Sequence, residues 1–77
     1  MRLYCVYDKL AEESGPIFEA KNDTVAIRMY NGINFPGERD HYKLLFIGDY
    51  SHDPVRITAF SEPVEVVDVS RSVEDEQ

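Results

Sequence analysis

"GPIFEAKNDTVAIRMY", residues 15–30, changes its hydrophobic rhythm halfway along. Gly15-Pro16 is a turn signal, and Ile17 and Phe18 anchor the short extended run "IFEAK". Asn22-Asp23 breaks that run, and beyond it apolar residues recur at helical spacing. At about 100° per residue, Val25, Ala26, Met29, Tyr30 and Ile33 fall in a stripe roughly 140° wide, with Ile27 outside it. Thr24, Arg28, Asn31 and Gly32 lie on the other side. Asp23 is the expected N-cap, because its carboxylate can accept from first-turn N–H groups and its charge complements the helix dipole. Gly32 loosens or caps the last turn, and the helix is expected to end near Asn34.

The flanking chain reads as strands. "RLYCVYD", residues 2–8, is rich in aromatic and β-branched residues and is apolar on both parities, as in a central strand. "KLAEESGP" is polar and is expected to be a loop, with room for one helical turn over Lys9 to Glu13. "FPGERD" is a second loop around Pro36-Gly37. "YKLLFIGDY" is the strongest strand, about 42–49, again apolar on both parities. "SHDP" is a turn, and "VRITAF", 55–60, is its antiparallel hairpin partner. Pro63 then interrupts, which leaves "VEVVDV" as an edge strand or extended arm.

The expected fold is α+β: a small, mainly antiparallel sheet of four to five strands, in the order β-β-α-β-β, with one helix packed on one face. Residues 1–69 form one domain, and 70–77 form an acidic disordered tail. No internal repeat is visible. A chain of 77 residues buries only roughly 60% of its unfolded surface, so its core is thin. The sheet face away from the helix still carries apolar residues. Loops or a second subunit must cover it, and a homodimer is expected.

The formal net charge is −7, from 8 Lys and Arg against 15 Asp and Glu. Setting residues 70–77 aside leaves the excess of acid in place. A negative field works against nucleic acid, whose affinity comes largely from cations on phosphates. Cys5 is the only cysteine, so no disulfide can form within one chain, and among Leu3 and Val6 it reads as a small buried hydrophobe. "MRLYCVYD" lacks a long apolar run and meets an aspartate at position 8, so no signal peptide is expected. Nothing approaches the ~20 apolar residues of a membrane span. The expectation is a soluble protein of a reducing cytoplasm.

The chain contains no Gly-rich phosphate loop, no HExxH and no G-x-S-x-G, so no catalytic residues and no cofactor are assigned. Asp40-His41 and His52-Asp53 tempt toward acid–base chemistry, but both sit at loop or strand boundaries where solvated polar residues are ordinary. Asp49, His52 and Asp53 could ligate a divalent ion, yet no second cluster accompanies them, and no metal is assigned. Single-stranded nucleic acid is held by aromatic faces beside cations. Arg2, Tyr4, Lys43, Arg56 and Phe60 are the candidates, provided their strand parities coincide; a one-residue slip would reverse the faces. The helix offers only Arg28 outward and is read as a packing element, not a DNA-reading helix.

"LYCVYDKLAEESGPIFEAKNDTVAIRMY" followed by "YKLLFIGDYSHDPVRITAFSEPVEV" resembles the small nonstructural protein of gokushoviruses, single-stranded DNA phages of the microvirus group. The features carrying the likeness are Val6-Tyr7-Asp8 closing the first strand and Pro16-Ile17-Phe18 before a capped helix containing Ala26-Ile27-Arg28. Tyr42-x-Leu44-x-x-Ile47-Gly48-Asp49-Tyr50 and a hairpin partner leading into Glu62-Pro63 complete it. The resemblance implies a non-enzymatic phage accessory protein in the cytoplasm of an infected bacterium. Such a protein supports viral DNA replication or the switch to single-stranded genome synthesis, and the family transfers no catalytic residues. Two functional readings follow, beside a third, a scaffold-like assembly aid that binds capsid protein, which nothing in the residues separates from the first. In the first, the protein acts as a dimer through contacts with a viral or host replication protein. In the second, it binds single-stranded DNA weakly through the basic and aromatic set above, against its own net charge. Neither involves a membrane.

Overall fold

The computed structural model describes residues 1–67; the expected tail at 70–77, and the last two residues of the expected domain, lie outside them. The fold is α+β, with the element order β-β-α-β-β. β1 spans Arg2–Asp8, β2 Glu13–Ala20, α1 Asp23–Asn31, β3 Tyr42–His52 and β4 Val55–Val66. A single 3-10 turn, Arg39–His41, leads into β3. The sheet is antiparallel and open, in the order β2-β1-β3-β4, with β1 and β3 central.

Three strands exceed their sequence-based bounds; β3 runs on to His52, which narrows the expected "SHDP" turn to Asp53-Pro54. β2 takes in Gly15 and Pro16, which were expected in a loop. Proline is tolerated there because β2 is an edge strand, so its missing N–H leaves no ladder bond unmade. β4 runs through Pro63 as one bent strand, so "VEV" is its continuation and not a separate arm. The bend accompanies a register shift opposite Phe46 and Gly48. Gly48 is buried where β3 meets β4; a Cβ there would overlap the Thr58 carbonyl oxygen and lie 3.1 Å from the Ala59 Cα.

Register assigns the faces. Tyr4 pairs with Phe18 on one side and Phe46 on the other, and Leu44 pairs with Val6 and Val66. These residues form the helix side. The core cluster is Tyr4, Ala20, Ala26 and Leu44, with Phe18, Val25, Ile27, Tyr30, Phe46 and Val66 packed against it. Tyr4 is fully buried, and its ring stacks on Phe18 and Phe46 at 5.8 and 5.3 Å. Ala26 is also fully buried. Having only a methyl group, it allows the helix axis to approach the sheet.

Three expectations for the helix need correction. The N-cap is Asn22, not Asp23: its backbone is extended and its Oδ1 accepts from the Val25 N–H at 3.0 Å. Asp23 is the first helical residue and points toward the sheet. There Oδ1 accepts from the Tyr4 hydroxyl at 2.6 Å and from Arg2 Nη1 at 2.8 Å. That anchor sets the rotation of α1. Positions three, four and seven beyond Asp23 are Ala26, Ile27 and Tyr30, and these face the core. Val25, Ala26 and Tyr30 of the expected stripe pack on the core, and the stripe is shifted toward Ile27 rather than replaced. Met29 is therefore exposed, at 44%, while Ile27 packs inward; Ile33, 40% exposed, lies beyond the helix. The helix also ends at Asn31, short of Asn34, with Gly32 as the C-cap.

Candidate functional site

A helix of nine residues is only about 13 Å long, whereas an 11-residue strand reaches about 36 Å. α1 thus covers part of one sheet face. The chain from Ile33 to His41 crosses the rest. Phe35 stacks on Tyr42 at 4.4 Å and tilts against Tyr30 at 5.2 Å, and the Tyr42 hydroxyl donates to the Pro36 carbonyl at 2.8 Å. Arg39 lies over the Tyr30 and Phe35 rings at 4.7 and 5.4 Å. Its Nη2 donates to the Tyr30 carbonyl and to Asn31 Oδ1, so a cation neutralises the C-terminal end of the helix dipole.

This clamp leaves a cleft of about 500 Å³ between the crossing segment and the sheet. Val6, Phe18 and Tyr42 line its sheet side, with Ile33, Phe35 and Pro36 opposite. Asp8, Glu13 and Pro16 also border it. Asp8 and Glu13 are paired residues of β1 and β2, and Asp8 Oδ1 accepts from the Leu10 and Ala11 N–H groups, which holds the hairpin. An apolar recess bordered by two carboxylates suits an apolar group flanked by a cation.

The second surface is the sheet face turned away from α1. Leu3, Cys5 and Tyr7 of β1 point to it, as do Leu45 of β3 and Ile57 and Ala59 of β4. Leu3 and Cys5 are buried between their neighbours. Burial pushes the Cys5 thiol pKa up, which keeps it protonated and weakly nucleophilic at neutral pH. Ile17, Val55 and Ile57 stand out at 61%, 75% and 67% exposure. A recess of about 400 Å³ on this face is lined by Leu3, Ile17, Ile47, Tyr50, Ile57 and Ala59, among others. Glu19 Oε2 and His52 Nε2 meet at 3.0 Å across its end.

The basic and aromatic set divides between the two faces. Arg2 and Tyr4 lie on the helix side, the first bound to Asp23 and 4.8 Å from the Phe46 ring, the second without exposed surface. Phe60 packs edge-on against Phe46 at 4.7 Å, and Arg56 is exposed on the outer strand β4. Lys43 is 5.3 Å from the Tyr7 ring on the opposite face. The five therefore do not line one groove. Among the described residues, no three or more His, Cys, Asp or Glu gather to hold a metal, and no helix is long and apolar enough to cross a membrane.

The cleft escaped sequence reading because its walls come from β1, β2, β3 and the crossing segment. Ile33 read as part of the helical stripe, and only the structure, by ending the helix at Asn31, places it on the cleft wall.

Fold and surfaces together define a small single-sheet α+β protein with more apolar surface than its one helix covers. The chain belongs to the Phage ORF5 protein family, whose model matches residues 1–72, and it is a phage protein. This agrees with the likeness to a small phage protein drawn from its motifs. No curated protein and no solved structure matches it.

Proposed function

We propose that the protein is a non-enzymatic phage accessory factor that supports viral DNA replication, or the switch to single-stranded genome synthesis, through protein–protein contacts. The observation that carries this reading is the apolar cleft bordered by Asp8 and Glu13. A viral or host replication protein is basic where it holds DNA, and a segment offering an apolar side chain beside Lys or Arg complements the cleft in shape and sign. The net charge of −7 assists the encounter with such a partner and opposes direct contact with phosphates. Division of Arg2, Tyr4, Lys43, Arg56 and Phe60 between two faces weighs against the alternative, single-stranded DNA binding.

The test is affinity capture from phage-infected cells with wild-type protein and an Ile33→Asp variant. Ile33 is exposed, so the change leaves the core intact. The expected result is recovery of the phage replication-initiation protein or a host replication factor by the wild type and its loss in the variant. Recovery of no replication component would refute the reading. So would tight, salt-sensitive binding to oligothymidine abolished by Lys43→Glu and Arg56→Glu.

A further inference from the structure

We propose that a second copy of this chain covers the sheet face opposite α1, so that two open sheets stack into a β-sandwich. The proposal stands apart from the replication reading, because it concerns the face that the cleft does not use.

The first argument is area. Four strands at about 4.8 Å spacing, over about seven residues at 3.3 Å each, make a face of about 19 by 23 Å, or roughly 430 Å² in projection. The accessible area of a side-chain-studded surface is larger than its projection. Two such faces thus bury on the order of 1,200 Å², the lower bound of a specific stable interface. Apolar side chains stand where an inner sandwich face has them: Leu3 and Cys5, already buried in one copy, floor the centre beside Leu45, and the exposed Ile17, Val55 and Ile57 on the two edge strands supply the area to be covered. Sheets packed in this way lie about 10 Å apart, so exposed isoleucines from each copy interdigitate.

Charge is the second argument. The middle of the face carries none. Away from the centre it bears both signs, Glu19 and Glu65 against Lys43, with His52 beside Glu19. The two glutamates lie on the two edge strands, apart from each other, so no paired carboxylates border an apolar recess here as they do at the cleft. An identical face buries the uncharged middle and leaves these charges at the rim. The third argument is the shallow core of one copy, whose fully buried large side chains are Tyr4 and Leu44. A permanent second layer is what a chain of this size lacks.

The salt response follows. Two chains of −7 repel, and sodium chloride screens that repulsion, so the dimer tightens as salt rises. Sedimentation equilibrium of the full chain at micromolar concentration, in low and high sodium chloride, tests this. The expected mass is twice 8.9 kDa, with a dissociation constant at least several-fold lower at high salt. Ile57→Glu on β4 and Ile17→Glu on β2 each yield monomer with an unchanged far-UV circular dichroism spectrum. Met29→Glu, on α1, remains dimeric. A monomeric wild type would overturn the proposal, as would dissociation by Met29→Glu. Loss of the dimer in Ile57→Glu but not in Ile17→Glu would also overturn it, since that pattern belongs to edge pairing through β4. Should either glutamate variant lose its fold, Val55→Lys serves in its place, and a dimer weakened by salt overturns the proposal without any variant.

Discussion

Replacing Tyr4 by Phe removes one hydroxyl from the centre of the molecule and leaves its ring stacking in place. The hydroxyl donates to Asp23 Oδ1 at 2.6 Å, and the same oxygen accepts from Arg2. A hydrogen bond to a charged group contributes about 1.5–3 kcal/mol. Asp23 keeps Arg2 and is 49% exposed, so water can replace part of what is lost. The expected destabilisation is therefore at the low end, about 1–1.5 kcal/mol. Tyr4→Ala also removes the ring between Phe18 and Phe46 and should cost about 3–5 kcal/mol, a large share of the roughly 4–12 kcal/mol available to a chain of this length. Urea unfolding followed by far-UV circular dichroism at one fixed protein concentration measures both. With a slope of about 1 kcal/mol/M, Tyr4→Phe lowers the midpoint by about 1–1.5 M.

The same bond has a pH signature. Burial first, and then the hydrogen bond to Asp23, push the Tyr4 pKa up to about 12 from the ordinary value of 10.0. The folded state holds this proton more tightly than the unfolded state. The stability it contributes is fully present below pH 10 and is lost as pH rises toward 12. Wild type and Tyr4→Phe should therefore differ most near neutral pH and converge across that alkaline window. Equal midpoints at neutral pH, or a difference that is constant into the alkaline range, would show that Tyr4 does not anchor the helix as described.

Gly48→Ala forces its new methyl into the Thr58 carbonyl and should lower stability by about 1–3 kcal/mol, read as a fall in melting temperature of several degrees. Gly15→Ala, with 3.6 Å to its nearest neighbour, is the control; equal effects at the two sites would refute the close approach of β3 to β4. Asn22→Ala removes the helix cap and should cost about 1 kcal/mol in urea titration. A change near zero would return that role to Asp23. Met29→Lys should alter monomer stability by no more than about 0.5 kcal/mol, whereas Ile27→Ala should cost about 2 kcal/mol or more. The reverse order in thermal melts would mean that α1 sits in the rotation its sequence stripe suggested.

The family likeness was legible in the sequence, because it rests on short motifs and their order. The cleft was not, since it exists only where a nine-residue helix stops short of the strands beneath it. The proposed basic and aromatic set failed to converge for a related reason. Arg2 and Tyr4 share a parity with each other, but pairing places Lys43 with Tyr7 on the opposite face.

By itself the sequence determined the local states. Aromatic and β-branched runs in β1 and β3 had to be strands, and the change of period after Asn22 had to be a helix, because backbone and side-chain preferences act within a few residues. Tertiary structure decided how those elements face one another. The bond from Tyr4 to Asp23 turns α1 so that Ile27 goes in and Met29 comes out. A short helix with apolar side chains on more than one side can bury nearly equal area in several rotations. One half-buried polar anchor, formed by residues nineteen positions apart, selects among them.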